Sequence, residues 1–552
     1  MKSLTRLSWA AFAMALAITL TACGGGNTPE LTQVDASKTI TVLRADKSEN
    51  LDPQATDSGG DVTVLMQMYE TLVRPSVGTA NVEWEPGLAK SWTINDDKSV
   101  YTFVIRDGVT FHDGTKLDAA AVKRSLDRLV DENEKSKPVG RPYRKGFFGG
   151  VTSISTDGDK VIIKLKGPNP RFLSSIGIHP AMIVSPKAIE HMEGIKNPAE
   201  RSSWLTSHPA GTGPYTISDE SDYKESGANL TLTAFKEYWD GGAPKIERVV
   251  FQTQEEVRQR TQRLLAGDIQ FADNLDPGDW RDLDANDKVT LHTWQGMNLC
   301  YLAMNVPADS GFVTSNLDVR KAIALAIDRE PMVAKFSGKA VPQHVLLPPP
   351  ALGFPKGYMP PTDKVPRDEA IERAKQLIKN AGAEGAKLEL LMPDVARPYL
   401  LYPNEIANLI QQQLKQVGLE VTLVKSPMKD ITGRIKSNKY PLVLLGWMGD
   451  SGEPDNFWRP LLGGSDGEPA SLNAARFYNA EVMQRIDAAG VETDENKRQK
   501  MYEDLEKWVF ETFRPMVPLL SAQRSFAWTS KLKGVQVDST GQFHLHRASI
   551  QE

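Results

Sequence analysis

The chain has 552 residues, 40% of them hydrophobic and 24% charged, with a formal charge of −5. That length suits roughly two to four domains with a sizeable core. Lysine and arginine are scattered and make no basic run, so a nucleic-acid surface is not expected.

The chain opens MKSLTR, with Lys2 and Arg6, and continues into an apolar run from Leu7 to Leu20. A basic start before a short apolar stretch is an export signal, too short to span a bilayer comfortably. Leu20-Thr21-Ala22-Cys23 follows and resembles a bacterial lipobox. The resemblance implies cleavage just before Cys23 and a diacylglyceryl group on its thiol, so residues 1–22 are expected to be a lipoprotein signal peptide. The glycines and polar residues of 23–38 read as a flexible tether. The chain has only two cysteines. With Cys23 lipidated no internal disulfide is available, and Cys300, in MNLCYLAMN, is expected to be a buried thiol. No later stretch reaches transmembrane length. The expected product is exported, soluble and tethered to a membrane.

In chain order, residues 39–45 (TITVLRA) alternate like a strand, and LDPQATDSGGD after them is loop. Residues 98–114 read as two strands around Asp107-Gly108. Asp118 caps a helix whose apolar positions include Ala119, Val122, Leu126 and Leu129. Residues 160–167 form another strand. Strand-like pieces run from GTGPYTI at 211 to about 254, and the helix EEVRQRTQRLLAGD follows.

The second half has a clearer rhythm. DVRKAIALAIDR and PRDEAIERAKQLIKNAG are amphipathic helices. Residues 386–393 are an apolar strand. The helix 404–418 carries Ile406, Leu409, Ile410, Leu414 and Val417 on one face, with Gly418 as its stop. Then come a strand at 419–425, a short helix at 428–437 and a strand at 441–447. Alternating strands and helices imply parallel βαβ units, and continuous apolar strands imply a sheet covered on both faces.

This order places Arg397 just past the first of those three strands and Asp450 just past the third. Both emerge at carboxyl ends of parallel strands, the rim where open α/β sheets bind ligands. Asp450 sits in GWMGDSGEPDNFW, 446–458, where carboxylates are set among Trp447, Phe457 and Trp458. Apolar rings favour burial, and carboxylates resist it unless a cation meets them. Two bland alternatives stand beside a ligand site: Arg397 and Asp450 pair with each other, or both are solvated.

Catalytic patterns are weak. Gly463-Gly464-Ser465-Asp466-Gly467 has the letters of a nucleophile elbow but lacks the flanking strand and helix. Ser-x-x-Lys occurs at Ser426, Ser221 and Ser530, with no Lys-Thr-Gly. His-Glu-x-x-His and P-loop patterns are absent. His544 and His546 alternate on one strand face without an evident third metal ligand. His112 suits a turn better than proton transfer.

Several stretches together resemble the solute-binding proteins of ABC importers for peptides, nickel and related solutes, solute-binding family 5. They are Leu51-Asp52-Pro53, EPGLAKSWTINDDKSVYTFVIRDGVTFHDGT at 85–115, GTGPY at 211–215, NLDVRKAIALAIDRE at 316–330 and the helix ending in KNAG. LMPDVARPY, 391–399, and GWMGDSGEPDNF, 446–457, are similar to the dipeptide-binding subgroup. The resemblance implies a two-lobe α/β periplasmic-binding-protein-like fold, the large three-part variant of class II, with the ligand between the lobes. The first lobe would comprise 39–300 and 523–552, with an inserted part near 86–210, and the second 301–522.

The resemblance also implies that Arg397 binds a peptide's carboxylate and Asp450 its ammonium. Trp447 and Tyr399 would wall the site, Gly446 and Gly449 would let backbone approach the ligand, and Ser58 and Gly59 would contribute from the first lobe. Glu453 and Asp455 are expected to bond their own turn. The partners implied are a short peptide and a membrane permease with its ATPase subunits. A monomer without cofactor, metal or catalytic residues is expected. The apolar run Leu400-Leu401-Tyr402-Pro403-Asn404 departs from the dipeptide pattern, and the disulfides of some relatives are absent; both leave ligand length open. Alternatives are a binder of glutathione, haem or nickel, a tethered peptidase, and a surface sensor or adhesin. Arg397 would repel a bare nickel ion, and a peptidase would need a nucleophile–base pair that the sequence does not offer.

Overall fold

In the strand Thr39–Arg44 (TITVLR), Ile40, Val42 and Leu43 are fully buried. Such side chains force a strand into the middle of a sheet. This computed structural model describes residues 36–77, 82–137, 140–217 and 229–551. Cys23, the signal sequence and the tether up to residue 35 lie outside them. Ala36–Lys38 form a short 3-10 turn leading into the first strand.

A sheet of twelve strands runs through the described residues. Its path is Glu420–Ser426, Lys387–Pro393, Leu442–Met448, Asn298–Met304, Met516–Thr529, Phe271–Asp273, Thr39–Arg44, Arg248–Thr253, Asn229–Ala234 and Tyr215–Thr216. Val289–Gln295 and Ala340–Pro342 attach to Met516–Thr529 off that path. Lys387–Pro393 is parallel to both Glu420–Ser426 and Leu442–Met448, as the βαβ reading requires. The helix between, Pro403–Gln416, buries Ile406, Ala407, Ile410 and Leu414 against the sheet's core.

The long strand Met516–Thr529 belongs to two bodies. Its first half pairs antiparallel with Asn298–Met304, from Ala303 opposite Met516 to Cys300 opposite Leu520. Its second half pairs with Val289–Gln295, from Gln295 opposite Gln523 to Val289 opposite Thr529. One buried cluster gathers apolar residues from Leu299 to Ala522. A second joins Ile40, Val64 and Leu230 with Phe526 and Leu545. A third packs the small sheet Ala89–Ile94, Val100–Ile105, Lys160–Leu165 and Val151–Asp157 against the helix Ala119–Val130. Asp118 caps that helix by accepting from the Ala121 amide. Cys300 is buried, its thiol pushed up by burial.

Two local readings differ. In 98–114 only Val100–Ile105 is a strand. Beyond Gly108 (φ +77°) the chain makes a single bridge, Thr110 to Lys116, and buries Val109 and Phe111 from a loop. GTGPY is mostly close packing rather than strand. A Cβ on Gly211 would lie 2.2 Å from the Met68 carbonyl oxygen, and one on Gly213 2.5 Å from the Met68 carbonyl carbon. His112 serves that packing, with Nε2 2.9 Å from the Gly213 carbonyl. The nucleophile-elbow letters form a hairpin turn, Asp466 and Gly467 both at positive φ, between Gly464–Ser465 and Glu468–Pro469. His544 pairs with Asp538 at 2.8 Å, and no metal-binding cluster occurs among the described residues.

Glu453 and Asp455 do not serve their own turn. Asp455 is buried and accepts from Arg459 and from the Tyr502 hydroxyl. It also pairs with Arg171, which starts a helix packed in the third cluster. Arg171 Nε donates to the Gly490 carbonyl at 2.8 Å. A Cβ at Gly490 would lie 2.7 Å from the Arg171 guanidinium, so glycine there admits the arginine. Burial pulls Arg171 down to about 10, which leaves it charged at neutral pH. Glu453 pairs with Arg498 at 3.1 Å and accepts from Ser174 at 3.4 Å. These contacts tie the third cluster to the body that carries Asp455 and Arg498.

The Leu-Asp-Pro motif has a plain structural task. Asp52 and Arg128 are fully buried, with Nη1–Oδ1 at 3.0 Å and Nη2–Oδ2 at 2.5 Å. Arg128 also donates to Gln54 and to the Ser136 carbonyl. Asp52→Ala should therefore cost about 3–5 kcal/mol, because it strands a buried guanidinium; urea denaturation measures it, and a loss below 1 kcal/mol (roughly that of a surface pair) would refute the role. Arg171→Ala should cost less, about 1–3 kcal/mol, because Asp455 keeps Arg459 and Tyr502. Its signature is an increased radius of gyration in small-angle scattering of the ligand-free protein, and an unchanged profile would count against a bridging role.

Candidate functional site

The carboxyl ends of Lys387–Pro393 and Leu442–Met448 open onto a cavity of about 580 Å³, a volume typical of small-ligand sites. The segment 45–59, which leads into the helix Gly59–Met68, forms a facing wall, and Tyr143 and His179 also line the cavity. Asp450, Arg397, Trp447, Tyr399, Gly446, Ser58 and Gly59 all reach it, while Gly449 does not.

Arg397 is positioned by a tight turn. Its amide donates to the Leu400 carbonyl at 3.0 Å, and the Leu400 amide returns to the Arg397 carbonyl at 2.8 Å. Leu400 and Leu401 are buried in the core beneath, so the apolar run after Arg397 packs the body and does not line the cavity. The side chain is 7% exposed. Its partner is not Asp450: Nη1 pairs with Asp46 from the facing wall. Burial opposes the charge on Arg397, but Asp46 and Tyr399 outweigh it and raise its pKa. Nε is buried without a hydrogen-bond partner, an unmet donor in a wall built for polar company.

Asp450 is held by Asn456, itself fully buried. The Asn456 side chain accepts from the Asp450 amide at 2.8 Å and donates to Oδ2 at 3.2 Å. The Tyr143 hydroxyl donates to the same Oδ2 at 3.1 Å. Burial raises the Asp450 pKa, opposed by His179, Asn456 and Tyr143. His179 is no full counter-ion, because burial lowers its own pKa; its Nε2 lies 3.2 Å from the Thr56 carbonyl. Asp450 thus reaches the cavity as a carboxylate with no ion pair among the described residues.

The glycines act differently from expectation. A Cβ on Gly446 would lie 2.2 Å from the Tyr399 ring, and one on Gly449 2.6 Å from Met297. Their missing side chains admit protein rather than ligand. Gly59 has nothing within 4 Å of a built Cβ and faces open space. Ser58 is the N-cap of its helix, with no capping bond from its side chain. Asp61 ties the facing wall together. It accepts from the Glu49 and Asn50 amides at 2.7 and 3.2 Å and from the Thr56 hydroxyl at 2.6 Å. Burial raises it to about 6.

Sequence reasoning missed Tyr143, His179, Asn456, Asp46 and Asp57. Asn456 was visible in Asp450's own stretch, and Asp46 and Asp57 flank the Leu-Asp-Pro motif. Tyr143 and His179 reach the cavity from a separate part of the chain and carry no local signal.

Comparison with known proteins places this geometry in a family. The model of bacterial extracellular solute-binding proteins, family 5 (middle), matches residues 83–469. A dipeptide-binding protein of Escherichia coli (strain K12) is 26% identical over 93% of this chain and 95% of its own length. Heme-binding protein A of Haemophilus influenzae is 30% identical over 85% of this chain and 84% of its own length. The crystal structure of a dipeptide-binding protein from Pseudoalteromonas sp. SM9913, in complex with Met-Leu, superposes with a TM-score of 0.82 at 23% identity. It covers 93% of this chain and 100% of that one. The chain therefore belongs to the bacterial extracellular solute-binding proteins of family 5, two-lobe α/β proteins that bind solutes outside the cytoplasm rather than transform them.

Proposed function

We propose that the protein captures short peptides, dipeptides above all, by their charged termini and delivers them to an ABC permease with its ATPase subunits. The observation that carries this reading is the placing of Asp450 and Arg397 on one cavity, Asp450 with no ion pair among the described residues and Arg397 beside Asp46. The peptide's ammonium meets Asp450 in a charge-assisted hydrogen bond, about twice as strong as a neutral one. Its carboxylate meets Arg397, which shares its donors between the ligand and Asp46. Trp447 and Tyr399 wall the backbone between. The names of the Escherichia and Pseudoalteromonas relatives favour the same solute.

Residues 39–300 with 523–552 form the first lobe, with an inserted part near 86–210, and 301–522 form the second; the separate buried clusters support that division. The protein works as a monomer, anchored through lipid on Cys23. The haem reading rests on the Haemophilus relative's name. It is weaker because His179, the histidine lining the cavity, is engaged with Thr56 and Tyr143. Nickel is disfavoured by Arg397.

Asp450 and Arg397 stand on loops of one sheet, so their separation cannot stretch freely. An extended peptide grows by about 3.3 Å per residue. A site fitted to two residues loses one terminal contact when a third is added, at a cost of about 2–5 kcal/mol. Calorimetry with dialanine through penta-alanine, free and end-blocked, should give the tightest binding for the free dipeptide. Asp450→Asn and Arg397→Met should each weaken it by a similar 2–5 kcal/mol. Equal affinity for blocked and free peptides would defeat terminus anchoring, and preference for tetrapeptides would defeat the length alone. For the anchor, Cys23→Ala should abolish incorporation of labelled fatty acid; retained label would refute it.

A further inference from the structure

The cavity's charges do not balance for a zwitterion. Asp46 is neutralised by Arg397, and Glu49 pairs with Lys47 at 3.1 Å. Asp61 stays charged at neutral pH but turns both oxygens to three protein donors. Asp57, Asp394, Glu255 and Asp450 also line the cavity, and none has an ion pair among the described residues. A neutral dipeptide brings one ammonium and one carboxylate, so it leaves this surplus of negative charge unchanged.

Asp57 stands out among the four. It is exposed to the cavity and follows Thr56, whose carbonyl lies 3.2 Å from His179 Nε2; the His179 ring packs edge-on against Tyr143, with centroids 4.9 Å apart, and Tyr143 donates to Asp450. Asp57 and Asp450 therefore flank the same two rings of the cavity wall. Burial raises Asp57 as it does Asp450, with His179, Lys436 and Arg397 opposing. Neither Lys436 nor Arg397 comes within ion-pair distance of it, and burial disfavours charge on His179. Like charges sharing one partly dry space resist joint ionisation unless cations arrive with the ligand. One ammonium offsets one of them.

The wall behind the cavity also holds unmet polar atoms. Tyr301 is fully buried and lines the cavity, and its hydroxyl has no hydrogen-bond partner. The buried Arg397 Nε is in the same state. Buried polar atoms are nearly always paired, so both are exceptions in the wall behind the cavity.

We infer that the site selects peptides whose first residue carries a basic side chain, with Asp450 meeting the α-ammonium and Asp57 the lysine or arginine head. This rests on the peptide reading above and adds the solute's charge to it. Opposite charges within about 4–6 Å favour each other's ionised form, so the same carboxylate that lies idle against dialanine gains a partner from lysyl-alanine.

The test is calorimetry on the purified, ligand-stripped protein at neutral pH with Ala-Ala, Lys-Ala, Arg-Ala and Glu-Ala, repeated with Asp57→Asn. Wild type should bind Lys-Ala and Arg-Ala at least tenfold tighter than Ala-Ala, with Glu-Ala weakest. Asp57→Asn should bring the Lys-Ala to Ala-Ala ratio to within threefold of one. Since Asp57 is exposed to the cavity and holds no ion pair, the variant should fold, which a melting curve checks. Salt supplies an independent readout on wild type: Lys-Ala affinity should fall more steeply with ionic strength than Ala-Ala affinity. Binding of Ala-Ala with no preference for Lys-Ala overturns this inference and leaves the peptide reading standing. A preference that survives Asp57→Asn, or an equal loss for both peptides, overturns it too; the equal loss makes Asp57 a second ligand of the α-ammonium. Failure of every peptide to bind wild type removes both readings.

Discussion

A single strand, Met516–Thr529, is shared by two buried clusters, and the two halves of the large sheet are joined by how it is shared. Val517, Leu519 and Leu520 are fully buried beside one set of partners, and Ala527 and Phe526 beside the other. At the changeover the Asn298 side chain clasps Ala522, donating to its carbonyl at 2.7 Å and accepting from its amide at 2.9 Å. That clasp satisfies the backbone where the ladder changes partners, at a point where an orphaned amide would be costly. Gly296 makes room for it, since a Cβ there would lie 2.1 Å from the Asn298 nitrogen. The two bodies are thus continuous in backbone hydrogen bonding at one edge. Elsewhere they meet through side chains.

Those side-chain contacts are largely electrostatic. Arg171 with Asp455 and Asp46 with Arg397 each join one wall to the other, and Tyr143 joins Asp450 in the same sense. Ion pairs of this kind are sensitive to desolvation: the cost of taking both charges out of water is repaid only where the geometry is good and further hydrogen bonds complete it. A peptide ammonium at Asp450, as proposed, would offset the burial that raises the Asp450 pKa.

Much of this was legible in the sequence, and the limits have physical causes. The βαβ run from Lys387 to Met448 was readable because its strands are continuous apolar runs, its helix has one apolar face, and glycine ends it. The rim rule then located Arg397 and Asp450 without any contact being known. Asp455 was misread because its partners, Arg171 and Tyr502, lie far from it in the chain, and ion pairs at long separation leave no local pattern. Val109 and Phe111 alternate like a strand yet sit in a loop, because apolar alternation records which side chains are buried and says nothing about the ladder that would pair them. Gly446 looked like room for a ligand. Only the fold shows that the room is taken by the Tyr399 ring.

The facing wall shows how stability and recognition depend on the same residues. The segment carrying Asp46 and Asp57 is not a regular element, so its shape is not set by a ladder or a helix. It is set instead by two buried carboxylates: Asp52, locked to Arg128, and Asp61, gathering two amides and a hydroxyl. Gly60 lets the segment fold back on itself, since a Cβ there would lie 2.8 Å from the Asp46 Cβ. A loop anchored at such points holds Asp46 opposite Arg397 and leaves Asp57 open to the cavity. The Leu-Asp-Pro motif touches the ligand's world only indirectly, through Asp52, which lies outside the cavity lining. Its side chain fixes the backbone from which neighbouring acids set the charge that the cavity presents.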